Sequence, residues 1–154
     1  MSITGWGGPS MEIGRQLAYT AKLSREYFEA RLAERGGSLA TWIVLSAAVN
    51  SPTSLSQREL AEAMAIGGPT LVRHLDRLEA EGLVVRRRDD HDRRITRIDL
   101  TPAGRRRHQE LAAVSAETNA EVKALLTEDE ERVLRSALQR VAEHIHAANE
   151  RESA

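Results

Sequence analysis

Thr70, Arg73, His74 and Arg77 stand three and four residues apart, the spacing that gathers side chains on one face of a helix. That face would carry a hydroxyl, two guanidinium groups and an imidazole. Leu71, Leu75 and Leu78 follow i, i+4 and i+7 and mark a buried stripe behind it. A short helix of this kind suits a DNA major groove, where a guanidinium can fork onto a guanine edge. Thr70 can meet a thymine methyl or a phosphate. Of Arg73 and Arg77, one can take a base edge while the other binds phosphate. His74 has two readings, a groove contact or a surface residue with no partner.

A second cluster lies further along. Arg86, Arg87 and Arg88 lead into a polar turn that carries Asp92, Arg93 and Arg94. An arginine run is more often a solvated face than a site. Here it occurs together with the polar helix face, and that combination points to nucleic acid. An arginine in a narrow, A/T-rich minor groove is drawn in by the enhanced negative potential there. Spacing does not decide between the adjacent Arg93 and Arg94.

Other chemistry finds little support. The histidines are 74, 91, 108, 144 and 146; no two stand four apart on a helix, and there is no cysteine to assist. The absence of cysteine also removes disulfides and thiol redox sensing. There is no nucleophile–base spacing, no glycine-rich phosphate loop and no evident pair of catalytic carboxylates. Gly67-Gly68-Pro69 reads as a helix start. No catalytic residue, metal or cofactor is expected.

The elements that position these residues follow from pattern. Ser56-Gln57-Arg58-Glu59 fits a capping box, which opens a helix with Leu60, Ala61 and Met64 on one face. Gly67-Gly68 breaks that helix, and Pro69 suits the first turn of the next. Gly82 suits its C-terminal stop. Period-two alternation at Leu83–Arg86 and Arg97–Leu100 then predicts a hairpin around the charged turn. Ser54-Leu55 can add a short third strand.

Around this segment lie longer helices. One runs from a Ser10 cap to about Arg35, after a glycine-rich arm at 1–9 that holds Trp6. The arm is expected to be mobile, with Trp6 either docked or casually packed. Ser38 caps a helix at Leu39–Asn50 that is apolar nearly all round, hence buried. Asn50–Thr53 is a loop. Thr101-Pro102 opens a helix reaching about Leu126, and Thr127-x-x-Glu130 is a second capping box before the last helix. The terminal helices carry apolar stripes that must be covered, either by their own domain or by a second copy.

The net charge of −1 is unevenly spread. Residues 56–107 hold 12 Lys+Arg against 9 Asp+Glu, a net of +3. Residues 108–154 hold 5 against 10, a net of −5. Positive charge thus collects where DNA phosphates would be met. No apolar run approaches the ~20 residues that span a bilayer, and no secretory leader is apparent. A soluble cytoplasmic protein is expected, with no membrane partner.

The central segment resembles the DNA-binding region of the MarR family of bacterial transcriptional regulators. Four phrases carry the resemblance: Leu55-Ser56-Gln57-Arg58-Glu59-Leu60-Ala61; Gly68-Pro69-Thr70 through Leu75-Asp76-Arg77-Leu78-Glu79 and on to Glu81-Gly82-Leu83-Val84; Asp92-Arg93-Arg94; and Leu100-Thr101 with Gly104. One departure is Val72, where the family often has Ser or Thr. The resemblance implies an α+β, predominantly helical fold, a winged helix-turn-helix with N- and C-terminal dimerisation helices. The expected boundaries are 1–9, 10–50, 51–101 and 102–154. The implied function is a homodimeric regulator, a repressor on a pseudo-palindromic operator. The expected DNA-facing residues are Ser56, Gln57, Pro69, Thr70, Arg73, His74, Arg77, Arg86, Arg88, Asp92, Arg93 and Arg94. Arg94 would enter the minor groove with Asp92 as its orienting partner. The family also implies a small aromatic or phenolic effector, for which Tyr19, Leu23 and Trp42 are the candidates; the same residues equally suit plain core. The competing reading is a winged-helix module that docks a protein and binds no DNA.

Overall fold

The computed structural model describes residues 12–51, 54–64 and 67–152. The expected arm at 1–9, its Trp6, the Ser10 cap, and Pro52-Thr53 of the loop lie outside them. The helices are α1 (Ile13–Glu34), α2 (Leu39–Asn50), α3 (Gln57–Met64), α4 (Gly68–Ala80), α5 (Pro102–Lys123) and α6 (Glu128–Glu152). The strands are β1 (Leu55–Ser56), β2 (Val84–Arg88) and β3 (Thr96–Leu100). The fold is mostly helical, with one small antiparallel sheet in the order β1-β3-β2. Its register pairs Val84 with Leu100, Arg88 with Thr96, and Leu55 with Ile98.

The described residues form two compact units, one up to Ser115 and one from Ala116 on. The core of the first consists of Leu32, Val44, Leu45, Leu60, Leu71, Leu75, Leu78, Val84, Ile98, Leu111 and Val114. The α4 leucines 71, 75 and 78 are all buried, as their spacing requires. Helix α2 buries Thr41, Val44 and Leu45 and leaves its other apolar residues half covered, so it is less enclosed than its composition suggests. Its start is capped as expected, the Thr41 N–H donating to Ser38 Oγ at 3.2 Å.

Local signals set the boundaries in the winged segment. The Glu59 N–H donates to Ser56 Oγ at 3.1 Å, and the Ser56 N–H donates to Glu59 Oε2 at 2.6 Å, which completes the capping box of α3. Helix α4 ends where Gly82 takes φ 69°, a left-handed conformation costly for any side chain. There the Gly82 N–H bonds Glu79 O and the Leu83 N–H bonds Leu78 O, both at 2.9 Å, a Schellman closure. The chain leaves it already extended into β2.

Thr101 links the sheet to α5. Its hydroxyl lies 2.7 Å from Gly82 O, and it accepts the Gly104 N–H at 3.0 Å. Helix α5 ends at Lys123 rather than Leu126. The Leu125 and Leu126 N–H groups turn back to Val122 O and Lys123 O, three residues behind, which tightens the last turn.

In the second unit, Thr127 and Glu130 form the expected capping box of α6, with the Thr127 N–H donating to Glu130 Oε2 at 2.8 Å. Lys123 bridges to Glu131 at 3.3 Å. Val133, Leu134, Leu138, Val141 and Ile145 run along α6 and remain 65, 42, 43, 38 and 49% exposed. Among the described residues, no helix is long and apolar enough to cross a membrane.

Candidate nucleic-acid interface

Helix α4 presents its outer face as the spacing predicts. Pro69 and Arg73 are exposed and Thr70 and His74 half-buried. Arg73 and His74 make no side-chain hydrogen bond or ion pair among the described residues. Arg77 differs: its Nε donates to Glu81 Oε1 at 2.9 Å, an exposed i,i+4 pair. Such a pair is weak enough to exchange its carboxylate for a phosphate.

The wing arginines divide into two groups. Arg86 is held within the fold. Its guanidinium reaches Asp76 and Glu79 on α4, with Nε 2.9 Å from Glu79 Oε2, and its backbone N–H donates to Glu79 Oε1 at 3.1 Å. These contacts hold the Glu79 carboxyl below the usual carboxylate range. Arg87 and Arg97 face each other across the hairpin, an unfavourable like-charge pair. Each is held by its own carboxylate, Arg87 by Asp99 at 2.5 Å and Arg97 by Asp89 at 2.7 Å.

The other group is not neutralised. Among the described residues Arg88 Nη1 makes only long contacts, 3.4 Å to Arg93 O and to Thr96 Oγ1. Arg93 and Arg94 are exposed, and their guanidinium groups have no partner among the described residues.

The wing tip is shaped by two aspartates. Asp89 Oδ1 accepts the N–H groups of His91 (2.8 Å) and Asp92 (3.0 Å). With Arg97, these bonds press the Asp89 carboxyl well below its ordinary range. Asp92 Oδ1 in turn accepts the Arg94 N–H at 2.9 Å. The expected orienting contact therefore runs to the Arg94 backbone and leaves its guanidinium unheld.

Between α3 and the wing lies a cleft of about 560 Å³, lined by Ser56–Glu59 and Arg94–Arg97. It brings three of the expected residues, Ser56, Gln57 and Arg94, to one place. Arg97 ties its walls together: Nη1 donates to Ser54 O at 2.9 Å and lies 3.5 Å from Glu59 Oε2.

Pattern reading missed the carboxylates Asp76, Glu79, Asp89 and Asp99, and with them Arg97. Asp89 carried a usable signal, an aspartate at the mouth of a turn with further residues whose N–H groups its side chain can accept. The others are paired across elements, and nothing local marks them.

The effector candidates lie elsewhere. Tyr19 is half-buried and Leu23 is 41% exposed, both on α1. Trp42 stacks on His108, ring centroids 5.3 Å apart and tilted by 4°, and meets Phe28 edge-on at 6.2 Å. Burial lowers the pKa of His108. Among the described residues, no three His, Asp or Glu side chains form a metal-binding group.

Helix, turn, helix and an arginine-tipped hairpin on one core define a winged helix-turn-helix protein. Residues 36–95 match the family model described as "MarR family". The solved structure of transcriptional regulator PA3341 is 34% identical, with a TM-score of 0.77 over 88% of this chain and 99% of that one. A MarR-family transcriptional regulator from Rhodococcus sp. RHA1 is 26% identical, with a TM-score of 0.76 over 88% and 95%. CouR from Rhodococcus jostii RHA1, solved bound to p-coumaroyl-CoA, is 27% identical, with a TM-score of 0.74 over 86% and 93%. The chain belongs to the MarR family of transcriptional regulators. It is a regulator and not an enzyme.

Proposed function

We propose that the protein binds duplex DNA sequence-specifically, as a homodimeric repressor on a pseudo-palindromic operator. One observation carries this reading. Of the arginines on α4 and the hairpin, Arg73, Arg88, Arg93 and Arg94 make no ion pair with a carboxylate among the described residues. Arg86, Arg87 and Arg97 serve the fold, so the phosphate and base contacts fall to this smaller set and to Thr70, His74 and Arg77. Ser56, Gln57 and Pro69 add hydrogen-bonding and close-contact surface at the helix starts. The exposed apolar stripe of α6 supports the homodimer, since such a stripe needs cover. A DNA partner puts the protein in the cytoplasm. Release by a small aromatic ligand is the finer part of the proposal, with Tyr19, Leu23 and Trp42 as its first candidates; the ligand-bound CouR relative supports it.

The test is a salt titration of duplex binding. Counterion release makes log K fall with log salt at about −0.9 per phosphate neutralised. A steep negative slope with selection of one sequence is expected. A chain that binds no duplex at low salt refutes the proposal.

A further inference from the structure

We propose that Arg86 is a positioning residue: with Asp76 and Glu79 it fixes the wing to the recognition helix, so that the two DNA readouts occur at one spacing along the duplex. The inference rests on the DNA-binding reading above.

The hairpin is anchored in more than one way. Val84 at its base and Ile98, paired with Arg86, are buried in the core, and on the far side β3 pairs with β1 while Arg97 reaches Ser54 O and Glu59. Beyond Val84, every polar link from β2 to α4 among the described residues runs through Arg86. Its Nε and Nη2 both reach Glu79 Oε2, at 2.9 and 2.7 Å, and Nη2 also reaches Asp76. The backbone N–H takes the other Glu79 oxygen. A planar fork held by two carboxylates one turn apart fixes direction as well as distance, which a single ammonium contact would not.

The charges also argue against a phosphate role. Two carboxylates meet one guanidinium, leaving the cluster at net −1 beside the surface offered to DNA. A group selected for phosphate attraction would not carry that surplus. As a joint, the surplus is useful, because Asp76 and Glu79 repel each other unless the guanidinium lies between them. The Arg86 side chain is only 23% exposed, so the pair is sheltered from screening more than the surface pairs on α1 or α6.

The geometric consequence is specific. Asp76 and Glu79 follow Arg73 on α4, and Arg86 precedes the wing tip on β2. With the joint intact, the base readout of Arg73 and the tip arginines keep one separation. Since successive base pairs rise about 3.4 Å, a fixed separation becomes a preferred number of base pairs between core half-site and A/T flank.

The experiment uses the full chain and a series of duplexes in which the A/T flank is moved one base pair at a time from the core half-site. Wild type, Arg86→Met, Arg86→Lys and Glu79→Gln are compared. Glu79→Gln is isosteric and keeps an acceptor for the Arg86 N–H, so it reports on the charge pair even where Arg86→Met fails to fold. Wild type should lose roughly tenfold in affinity per displaced base pair, the scale of one mismatch. Arg86→Met and Glu79→Gln should both flatten that dependence to less than about twofold while keeping core base preference and salt slope; Arg86→Lys should restore part of it. Opposite signs, with Glu79→Gln tightening every duplex and Arg86→Met weakening every duplex at a reduced salt slope, would make Arg86 a phosphate contact and overturn the inference. Retention of the wild-type spacing profile by Glu79→Gln overturns it too, as does a wild type indifferent to flank position. A wild type that binds no duplex overturns the DNA-binding reading and the inference together.

Discussion

Oδ1 of Asp92 accepts the backbone N–H of Arg94 at 2.9 Å. The carboxylate bends the chain at the wing tip and thereby aims a side chain it does not touch. Asp92→Ala removes this turn and should weaken operator binding, by about 1 kcal/mol on the scale of one hydrogen bond. Simple Coulomb reasoning predicts the opposite sign, because an anion near DNA is lost. Asp92→Asn separates the two, since it keeps the acceptor and drops the charge; it should bind at least as well as wild type. Titration of one operator duplex at fixed salt decides, and tighter binding by Asp92→Ala would show that the tip is not organised this way.

Arg73 and Arg88 both make no ion pair with a carboxylate among the described residues but sit on different elements. Arg73→Ala should relax preference at particular base pairs and cost roughly 1–3 kcal/mol on the preferred site. Arg88→Ala should weaken all sequences alike and reduce the salt slope by about 1. Identical profiles for the two variants in a selection from random duplexes would mean that the outer face is wrongly assigned.

Arg94→Ala should act on the flanks. Discrimination between A/T and G/C flanking sequence should fall while preference within the core half-site stays as in wild type. The measurement is a competition between duplexes differing only in the flank. An unchanged flank preference would pass the minor-groove role to Arg93.

Assembly can be tested on α6. Light scattering at micromolar concentration should give twice the chain mass. Leu138→Glu, in the middle of the stripe, should give a monomer or an aggregate. A wild type that stays monomeric removes the homodimer and the two-half-site operator with it.

The Asp89 carboxyl is held well below its usual range, first by the Asp92 N–H, then by Arg97 and the His91 N–H. The sign follows from linkage. A depressed carboxylate stabilises the folded wing fully above its unfolded pKa of about 3.9, and the contribution is lost as pH falls toward the folded value. Hydrogen exchange at the His91 and Asp92 amides should therefore stay protected at neutral pH and open in acid. Asp89→Asn should show faster exchange at neutral pH and little further change in acid. Equal protection in both proteins at neutral pH would remove Asp89 from the tip's support.

Features written into neighbouring residues were legible in the sequence. The boxes at Ser56–Glu59 and Thr127–Glu130 need only three residues of context, and both formed. The stripe of Leu71, Leu75 and Leu78 and the hairpin alternation follow from fixed periods. The Arg86 joint was not legible. Alternation tells which side of a strand a guanidinium leaves from, but not which carboxylate of a helix seven or ten residues earlier crosses its path. The same holds for Trp42 and His108, brought into a stack from elements far apart in the chain. Arg86, Arg88, Arg93 and Arg94 are alike as charges in the sequence, and the carboxylates that meet Arg86 set it apart from the other three.

Gly104 stands in α5 where a Cβ would lie 2.0 Å from Leu83 O, and Leu83 is the residue that closes the C-terminus of α4. The first turn of α5 and the end of the recognition helix are thus in backbone contact, with no side chain between them to act as a cushion. Packed side chains can absorb a small shift by changing rotamer; touching backbones cannot. Any side chain at position 104 would therefore have to push aside the Leu83 carbonyl and the turn that closes α4, so in steric terms the junction admits glycine and nothing larger.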